Sequence, residues 1–347
     1  MFTKLITLAL PIALAMSAVP RHADAQTVTL KFAHFLPSTS NFQRTVAEPW
    51  CADIEKDSGG RLKCQLYPSL QLGGTPPQLA DQVKSGVADI VWTSPSYNTG
   101  RFPRTEALEL PFTLPPDSLR GSKAMWAYTQ QFGMEDFKDY KLLALFSASN
   151  VIISTASKPV LDLAQIKGLK LRSPTRFSAS LLTALGATPV SMPPAQVTEG
   201  ISKGVIDGVL APWELLPAVK IDEVTRYHME GAPGQPGFAQ SPLSILMNKA
   251  RYDSLPTDLK AVIDKHSGAA LVERAARSWD GANAEARKKA LAQGNKVLVI
   301  KDDDYNAIKA ASATVVTDWI KQADEKGLGG VKLVEAARAL AAKSTAK

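Results

Sequence analysis

One segment of the chain is written twice. Residues 83–95 read VKSGVADIVWTSP and residues 201–213 read ISKGVIDGVLAPW, so that Gly86, Val87, Asp89 and Val91 align with Gly204, Val205, Asp207 and Val209 at a constant offset of 118 residues. In each copy a short helix enters behind two prolines (Pro76 and Pro77; Pro193 and Pro194) and ends at a glycine suited to the left-handed position beyond a helix C-terminus. A strand then follows. Upstream of each copy the pattern predicts a strand (Val28–His34; Leu169–Arg172), a polar loop, an amphipathic helix (Phe42–Asp57; Phe177–Leu185) and a second strand. The leading strands even share a start, Leu30-Lys31 and Leu169-Lys170. Strand–helix–strand–helix–strand, twice, predicts an α/β chain of two duplicated lobes with mostly parallel sheets. The length agrees, since 347 residues hold about two domains at roughly 150 residues each.

The first 25 residues stand outside this pattern. Lys4 is followed by an apolar stretch from Leu5 to Val19 and then by Ala23-Asp24-Ala25, the small-x-small form of a signal-peptide cleavage site. Cleavage is expected after Ala25, which makes 1–25 a signal peptide and the mature protein an exported one. The apolar stretch is shorter than the roughly 20 residues that span a bilayer. Export places the two cysteines in an oxidising compartment. Phe42, Val46, Trp50 and Ile54 recur every fourth residue, as on the buried stripe of a helix, with Cys51 beside them; Leu62, Cys64 and Leu66 alternate, as on a half-buried strand. Both thiols then point into one helix–strand contact, and a Cys51–Cys64 disulfide is expected.

Toward the C-terminus the pattern changes. From Pro256 to Gln293 the chain is rich in Ala, Leu, Lys, Arg and Glu, with Gly268 and Gly281 as breakers. One long or interrupted helix follows, reaching roughly 50 Å if continuous, enough to span both lobes. A strand at Lys296–Ile300 and helices near Asp302–Gln322 and Val331–Ala342 are expected to pack on the second lobe. The Gly231–Gly237 run reads as a surface loop near a crossover. These elements divide the chain into lobe I, residues 26–150 with 240–280, and lobe II, residues 151–239 with 281–347.

The sequence shows little reactive chemistry. No HExxH, CxxC or phosphate-loop pattern occurs, the four histidines are scattered, and no cofactor or metal is expected. Gly200–Gly204 matches G-x-S-x-G, but a helix precedes it and a strand follows, the reverse of a hydrolase elbow. The 40 basic and 33 acidic residues are dispersed, without the basic block that nucleic-acid binding favours. Ligands of doubly wound sheets sit beyond the carboxyl ends of the strands. Here those ends are His34–Asn41, Trp92–Asn98, Arg172–Arg176 and Leu210–Glu214. Arg172 and Arg176 are the informative pair: an arginine at a strand end offers a carboxylate a planar two-point donor, which lysine does not.

The run Ile166–Ala211, IKGLKLRSPTRFSASLLTALGATPVSMPPAQVTEGISKGVIDGVLA, resembles the signature region of the DctP-like solute-binding proteins of tripartite ATP-independent periplasmic (TRAP) transporters. The likeness extends over nearly the whole mature chain, through LKFAHFL, YPSLQLGG at Tyr67–Gly74, Leu110-Pro111-Phe112 and LMNKARYDSLPTDLK at Leu246–Lys260. It implies a two-lobed periplasmic binding protein fold with a lobe-spanning helix and a helical C-terminal region. It also implies a non-enzymatic protein that closes around an organic acid and delivers it to membrane permease subunits. By the same resemblance the ligand carboxylate pairs with the arginine of Gly-Leu-Lys-x-Arg, here Arg172, and further pocket positions fall near Phe35, Trp92, Tyr97, Thr175 and Ala211. Where many relatives carry a second pocket arginine this chain has Val151 or Ile152, and where many have asparagine it has Ala211. Fewer polar partners favour a monocarboxylate with an apolar or aromatic body, stacked near Trp92 or Trp213. Arg176 keeps a dicarboxylate or 2-oxo acid open as the alternative. An exported α/β enzyme is the alternative of another class.

Overall fold

The structure, a computed structural model, describes residues 27–345, so the leader expected at residues 1–25 lies outside the described residues. Eleven strands are present among those residues: β1 (Val28–His34), β2 (Leu62–Tyr67), β3 (Ile90–Thr93), β4 (Tyr140–Asn150), β5 (Ile152–Thr155), β6 (Lys170–Ser173), β7 (Thr188–Ser191), β8 (Gly208–Ala211), β9 (Tyr227–Glu230), β10 (Gln240–Asn248) and β11 (Lys296–Val299). They form two sheets, ordered β2-β1-β3-β10-β4 and β11-β9-β5-β8-β6-β7. The duplication is visible in this order. In each lobe the first strand of the repeat lies between the other two, all parallel, and an antiparallel strand follows on the same side: β10 beside β3, and β5 beside β8.

Those antiparallel strands make both sheets mixed, with parallel pairings still in the majority over the two together. They arise because the chain changes lobes in extended conformation: β4 runs into β5 with only Val151 between, and β9 returns to β10 through the loop that holds Gly231–Gly237. A strand arriving directly from the other lobe enters without the helical crossover that parallel pairing needs.

The repeated residues have one job. Asp89 accepts the Lys31 N–H on its carboxylate at 2.8 Å, donates its own N–H to the Lys31 carbonyl at 2.9 Å, and receives the Asn248 N–H on its carbonyl at 2.8 Å. Asp207 does the same with Lys170 at 2.8 and 2.7 Å and with Ala156 at 3.0 Å. Each aspartate thus ties the third strand of the repeat to the first and to the chain at the antiparallel strand beside it. Gly86 (φ +81°) and Gly204 (φ +69°) make the left-handed turn that brings the chain from the preceding helix to the aspartate.

The helix Glu48–Asp57 buries Trp50 and Ile54 below Phe42 and Val46, and Cys51 on its flank is disulfide-bonded to Cys64 of β2. The Pro256–Gln293 segment is interrupted: Thr257–Lys265 and Ala269–Ala292 are separate helices, because Gly268 takes φ +65° and gives its N–H to the Leu143 carbonyl. The second helix, 24 residues or about 36 Å long, still reaches both lobes. Gly281 does not break it.

The last helices depart from expectation. Asp302–Ala311 packs Tyr305 and Ile308 into the second-lobe core, as expected. Ala313–Glu325 and Gly330–Thr345 instead place Val315, Trp319, Leu333, Val334 and Ala337 in a core with Phe102, Met125 and Tyr128 of the first lobe. The stripe of Gly330–Thr345 faces the helix Ser118–Tyr128, whereas Ala313–Glu325 packs between Gly330–Thr345 and the second-lobe helix Arg176–Ala184, so these helices bridge the lobes rather than packing on the second alone. No helix of the described residues is long and apolar enough to cross a membrane.

Candidate functional site

Arg172 is delivered by the local grammar of β6. Gly168 (φ +78°) turns the chain into the strand, Asp207 clamps Lys170, and Pro174 ends the strand. Thr175 then caps the helix Arg176–Ala184 by accepting the Ser178 N–H on its hydroxyl. Arg172 therefore stands at the carboxyl end of the central parallel strand, where α/β sheets place ligands. Its side chain is only 2% exposed. Nε donates to the Met192 carbonyl at 3.1 Å. Burial pushes the guanidinium below its ordinary value, and the neighbouring Tyr97 phenol partly offsets this. Among the described residues no carboxylate pairs with it. A buried cation in that condition costs several kcal/mol unless an opposite charge is supplied.

Around the guanidinium lies a cavity lined by Phe35, Leu36, Trp92, Tyr97, Ala148, Pro174, Pro194, Pro212, Glu214, Leu215, Ser241, Leu243 and Trp279. Both lobes and the lobe-spanning helix contribute. Of the eight expected ligand residues, Arg172, Trp92, Phe35 and Tyr97 meet here. Trp92 does not offer a stacking face. Phe35 covers one side at 4.7 Å and Phe42 also stacks on it at 4.0 Å, both nearly parallel, so only its edge is left for the cavity.

The other four lie elsewhere. Trp213 donates to Glu230 at 3.1 Å and packs on His228, lining a separate groove with Asn283. Ala211 is buried in β8 opposite Ile152. Thr175 donates to Glu109. Arg176 is paired with Glu106 at 2.9 Å, donates to Gln322 at 2.9 Å, and lines a third groove beside Trp319. Trp319 itself donates to Glu106 at 3.1 Å. Thr175 and Arg176 thus tie the second lobe to Glu109 and Glu106 of the first.

Two cavity residues are not singled out by the sequence pattern. Trp279 sits mid-helix in Ala269–Ala292, where only helix register decides what it faces; a lone tryptophan among Ala, Lys and Glu was the available signal. Glu214 ends a loop already assigned to the cleft, Leu210–Glu214, but an isolated glutamate in sequence carries no mark of burial. It is 5% exposed, and burial pushes its carboxyl up to about 7, with the nearby Trp279 indole offsetting part of the rise. Glu109 is likewise pushed up to about 7 by burial, against the hydrogen bonds of Ser96 and Thr175.

Comparison with known proteins gives a consistent picture. A family model described as bacterial extracellular solute-binding protein, family 7 (DctP), matches residues 32–322. A TRAP solute-binding protein from Rhodoferax ferrireducens, solved with copurified benzoate, is 40% identical, with a TM-score of 0.89 over 92% of this chain and 99% of that one. A marine metagenome TRAP solute-binding protein described as specific for aromatic acid ligands, solved with metahydroxyphenylacetate, is 42% identical, with a TM-score of 0.88 over 91% of this chain and 99% of that one. A third, from Bordetella bronchiseptica with bound mandelate, is 28% identical, with a TM-score of 0.83 over 91% and 99% of the two chains.

Proposed function

The chain belongs to the DctP family of bacterial extracellular solute-binding proteins, and from that membership we propose that it captures an aromatic monocarboxylate for the membrane permease of a TRAP transporter. The observation that carries this reading is Arg172: a buried guanidinium, given no carboxylate by the described residues, in a cavity walled by Phe35, Leu36, Leu243 and Trp279. A ligand carboxylate supplies the missing charge, and the aromatic and aliphatic wall suits a ring. The relatives solved with benzoate, mandelate and hydroxyphenylacetate support the same class.

A dicarboxylate fits less well. Its second carboxylate needs a second cation, yet Arg176 is spent on Glu106 outside the cavity, and the cavity carries the acid Glu214. Val151, Ile152 and Ala211 are buried apolar side chains and add no polar partner.

The acid docks on Arg172 in an open form, and closure of the lobes buries it so that both contribute contacts. It is released chemically unchanged, on the outer side of the cytoplasmic membrane. The lobes we assign are residues 26–150 with 240–280 and residues 151–239 with 281–311, bridged by the helices from 313 to 345.

Calorimetry on the purified mature protein tests the reading. Benzoate or mandelate should bind and raise the melting temperature more than succinate or malate does. Arg172→Ala should weaken benzoate binding at least about 100-fold, the scale of breaking a buried ion pair. Arg172→Lys should restore little of it, because an ammonium lacks the two-point fork. Unchanged affinity in Arg172→Ala, or a larger stabilisation by the dicarboxylates, refutes the assignment.

A further inference from the structure

Taking the site as an aromatic-acid pocket, we infer that Glu214, together with the indole N–H groups of Trp92 and Trp279, receives a hydroxyl group carried on the body of the ligand. Arg172 reads the carboxylate; this second polar cluster reads the substituent.

The cluster is built rather than incidental. Glu214 is fixed from behind: its backbone N–H donates to Asn283 Oδ1 at 2.9 Å, and the Asn283 amide in turn donates to the Ser149 hydroxyl at 2.9 Å and the Ala148 carbonyl at 3.3 Å. The backbone at Glu214 is therefore held where the second lobe, the lobe-spanning helix and the end of β4 meet. Oε1 of Glu214 is buried without a hydrogen bond of good geometry, and the same holds for Nε1 of Trp92 and Nε1 of Trp279, although the Trp279 indole lies close enough to the Glu214 carboxyl to act on it as a weak donor. All three residues line the cavity that holds Arg172. Leaving even one such group unpaired costs about 1–3 kcal/mol. A leucine or glutamine at position 214 would avoid burying a carboxyl at all.

The donor and acceptor inventory selects the ligand group. The indoles only donate. Glu214 accepts through an unpartnered oxygen in either protonation state. An ammonium would satisfy the carboxyl and leave the Trp92 indole unpaired. A second carboxylate or a keto oxygen would accept from the indoles, and from Glu214 only in its protonated form, leaving the unpartnered carboxyl oxygen without a donor. A hydroxyl does both: it donates to the carboxyl and accepts from an indole N–H. Arg172 and Glu214 both line the cavity and form no ion pair with each other, so each is left to its own ligand group. A ring bearing a carboxylate and a hydroxyl at different positions matches such a pair.

The test is a calorimetric panel on the wild-type protein: benzoate, the 2-, 3- and 4-hydroxybenzoates, and the matching fluorobenzoates, which have nearly the size of the phenols without the donor. At least one hydroxybenzoate should bind about tenfold or more tighter than benzoate and than its own fluoro analogue. In Glu214→Leu that ratio should fall to within about twofold, and Glu214→Gln, which keeps an acceptor and a donor, should retain most of it. If benzoate binds and no hydroxybenzoate is preferred, the inference is overturned while the aromatic-acid reading stands. A preference that survives in Glu214→Leu overturns it in the same way. If none of the panel binds, both fall. Should Glu214→Leu fail to fold, Glu214→Ala replaces it, with the same fall of the ratio expected and a surviving preference again overturning the inference.

Discussion

Glu109 is a carboxyl pushed up to about 7 by burial, from an ordinary value near 4.5. Between those two values the folded protein holds a proton that the unfolded chain has already lost. Stability contributed by this group is therefore greatest at low pH, declines as pH rises from about 4.5 to about 7, and is flat above. His34 and His228 act in the opposite sense. Burial holds both near 4, so their contribution is present above about 6.5 and is lost as pH falls toward 4. Glu109→Gln isolates the first effect, because glutamine resembles the protonated acid at every pH and still accepts from Thr175. The melting temperature of Glu109→Gln relative to wild type should rise by about 2 °C or more between pH 5 and pH 8. A difference that does not change with pH across that interval would show that Glu109 is not protonated in the fold. A measurement on wild type alone would not isolate it, since Glu214 adds to it and the histidines oppose it.

At the scale of the element, the repeated aspartates are the joints of the fold. Asp89→Ala removes a buried acceptor and orphans the Lys31 backbone N–H, a loss of about 1–3 kcal/mol, whereas Asp207→Ala orphans the Lys170 N–H at a partly exposed site where water can replace the carboxylate, so its loss should be smaller. Asparagine keeps one acceptor oxygen, so Asp89→Asn and Asp207→Asn should lose less than half as much in urea unfolding. Equal losses for alanine and asparagine would mean that the carboxylate bonds contribute nothing. The same joints explain what was legible in the sequence. Gly-Val-x-Asp and Leu-Lys recur because one clasp is built twice, and a strand-end arginine is recognisable from the order of elements alone. Which face an element presents is a different kind of information. The stripe Leu333, Val334, Ala337 and Ala341 announces a buried helix face but not the partner that buries it. Trp213 and Trp279 are equally plausible cavity residues until helix register and the path after β8 turn one toward His228 and the other toward the cavity. The π-stacking that covers Trp92 is likewise a product of three segments, β1 with its following loop, β3 and the helix start, which no local pattern relates.

For the whole molecule the question is what holds the lobes together around the cavity. The chain crosses between them at the β4–β5 junction, the loop from β9 to β10, the helix Ala269–Ala292 and the turn at Ser312. None of these stops the lobes from parting at the cleft, because each is a single segment of chain. What opposes parting is side-chain contact, and the charged contact at the cleft is Arg176 with Glu106 at 2.9 Å, beside the Thr175–Glu109 bond. Arg176 is paired across the lobes and lies outside the Arg172 cavity, and a closing contact has a signature on removal that a ligand residue would not have. In Arg176→Ala the loss of a charged hydrogen bond worth about 1.5–3 kcal/mol shifts the lobes toward the open form. Small-angle scattering of the unliganded variant should then report a larger radius of gyration than wild type. Because ligand must now work against that shift, benzoate affinity should drop about tenfold or more. Saturating benzoate should return the radius to the wild-type value, since Arg172 and the cavity wall are untouched. An Arg176→Ala protein that binds benzoate as tightly as wild type, with the same radius in both states, would remove this pair from the closing contacts. A variant that loses affinity at an unchanged radius would instead point to direct contact between Arg176 and the ligand.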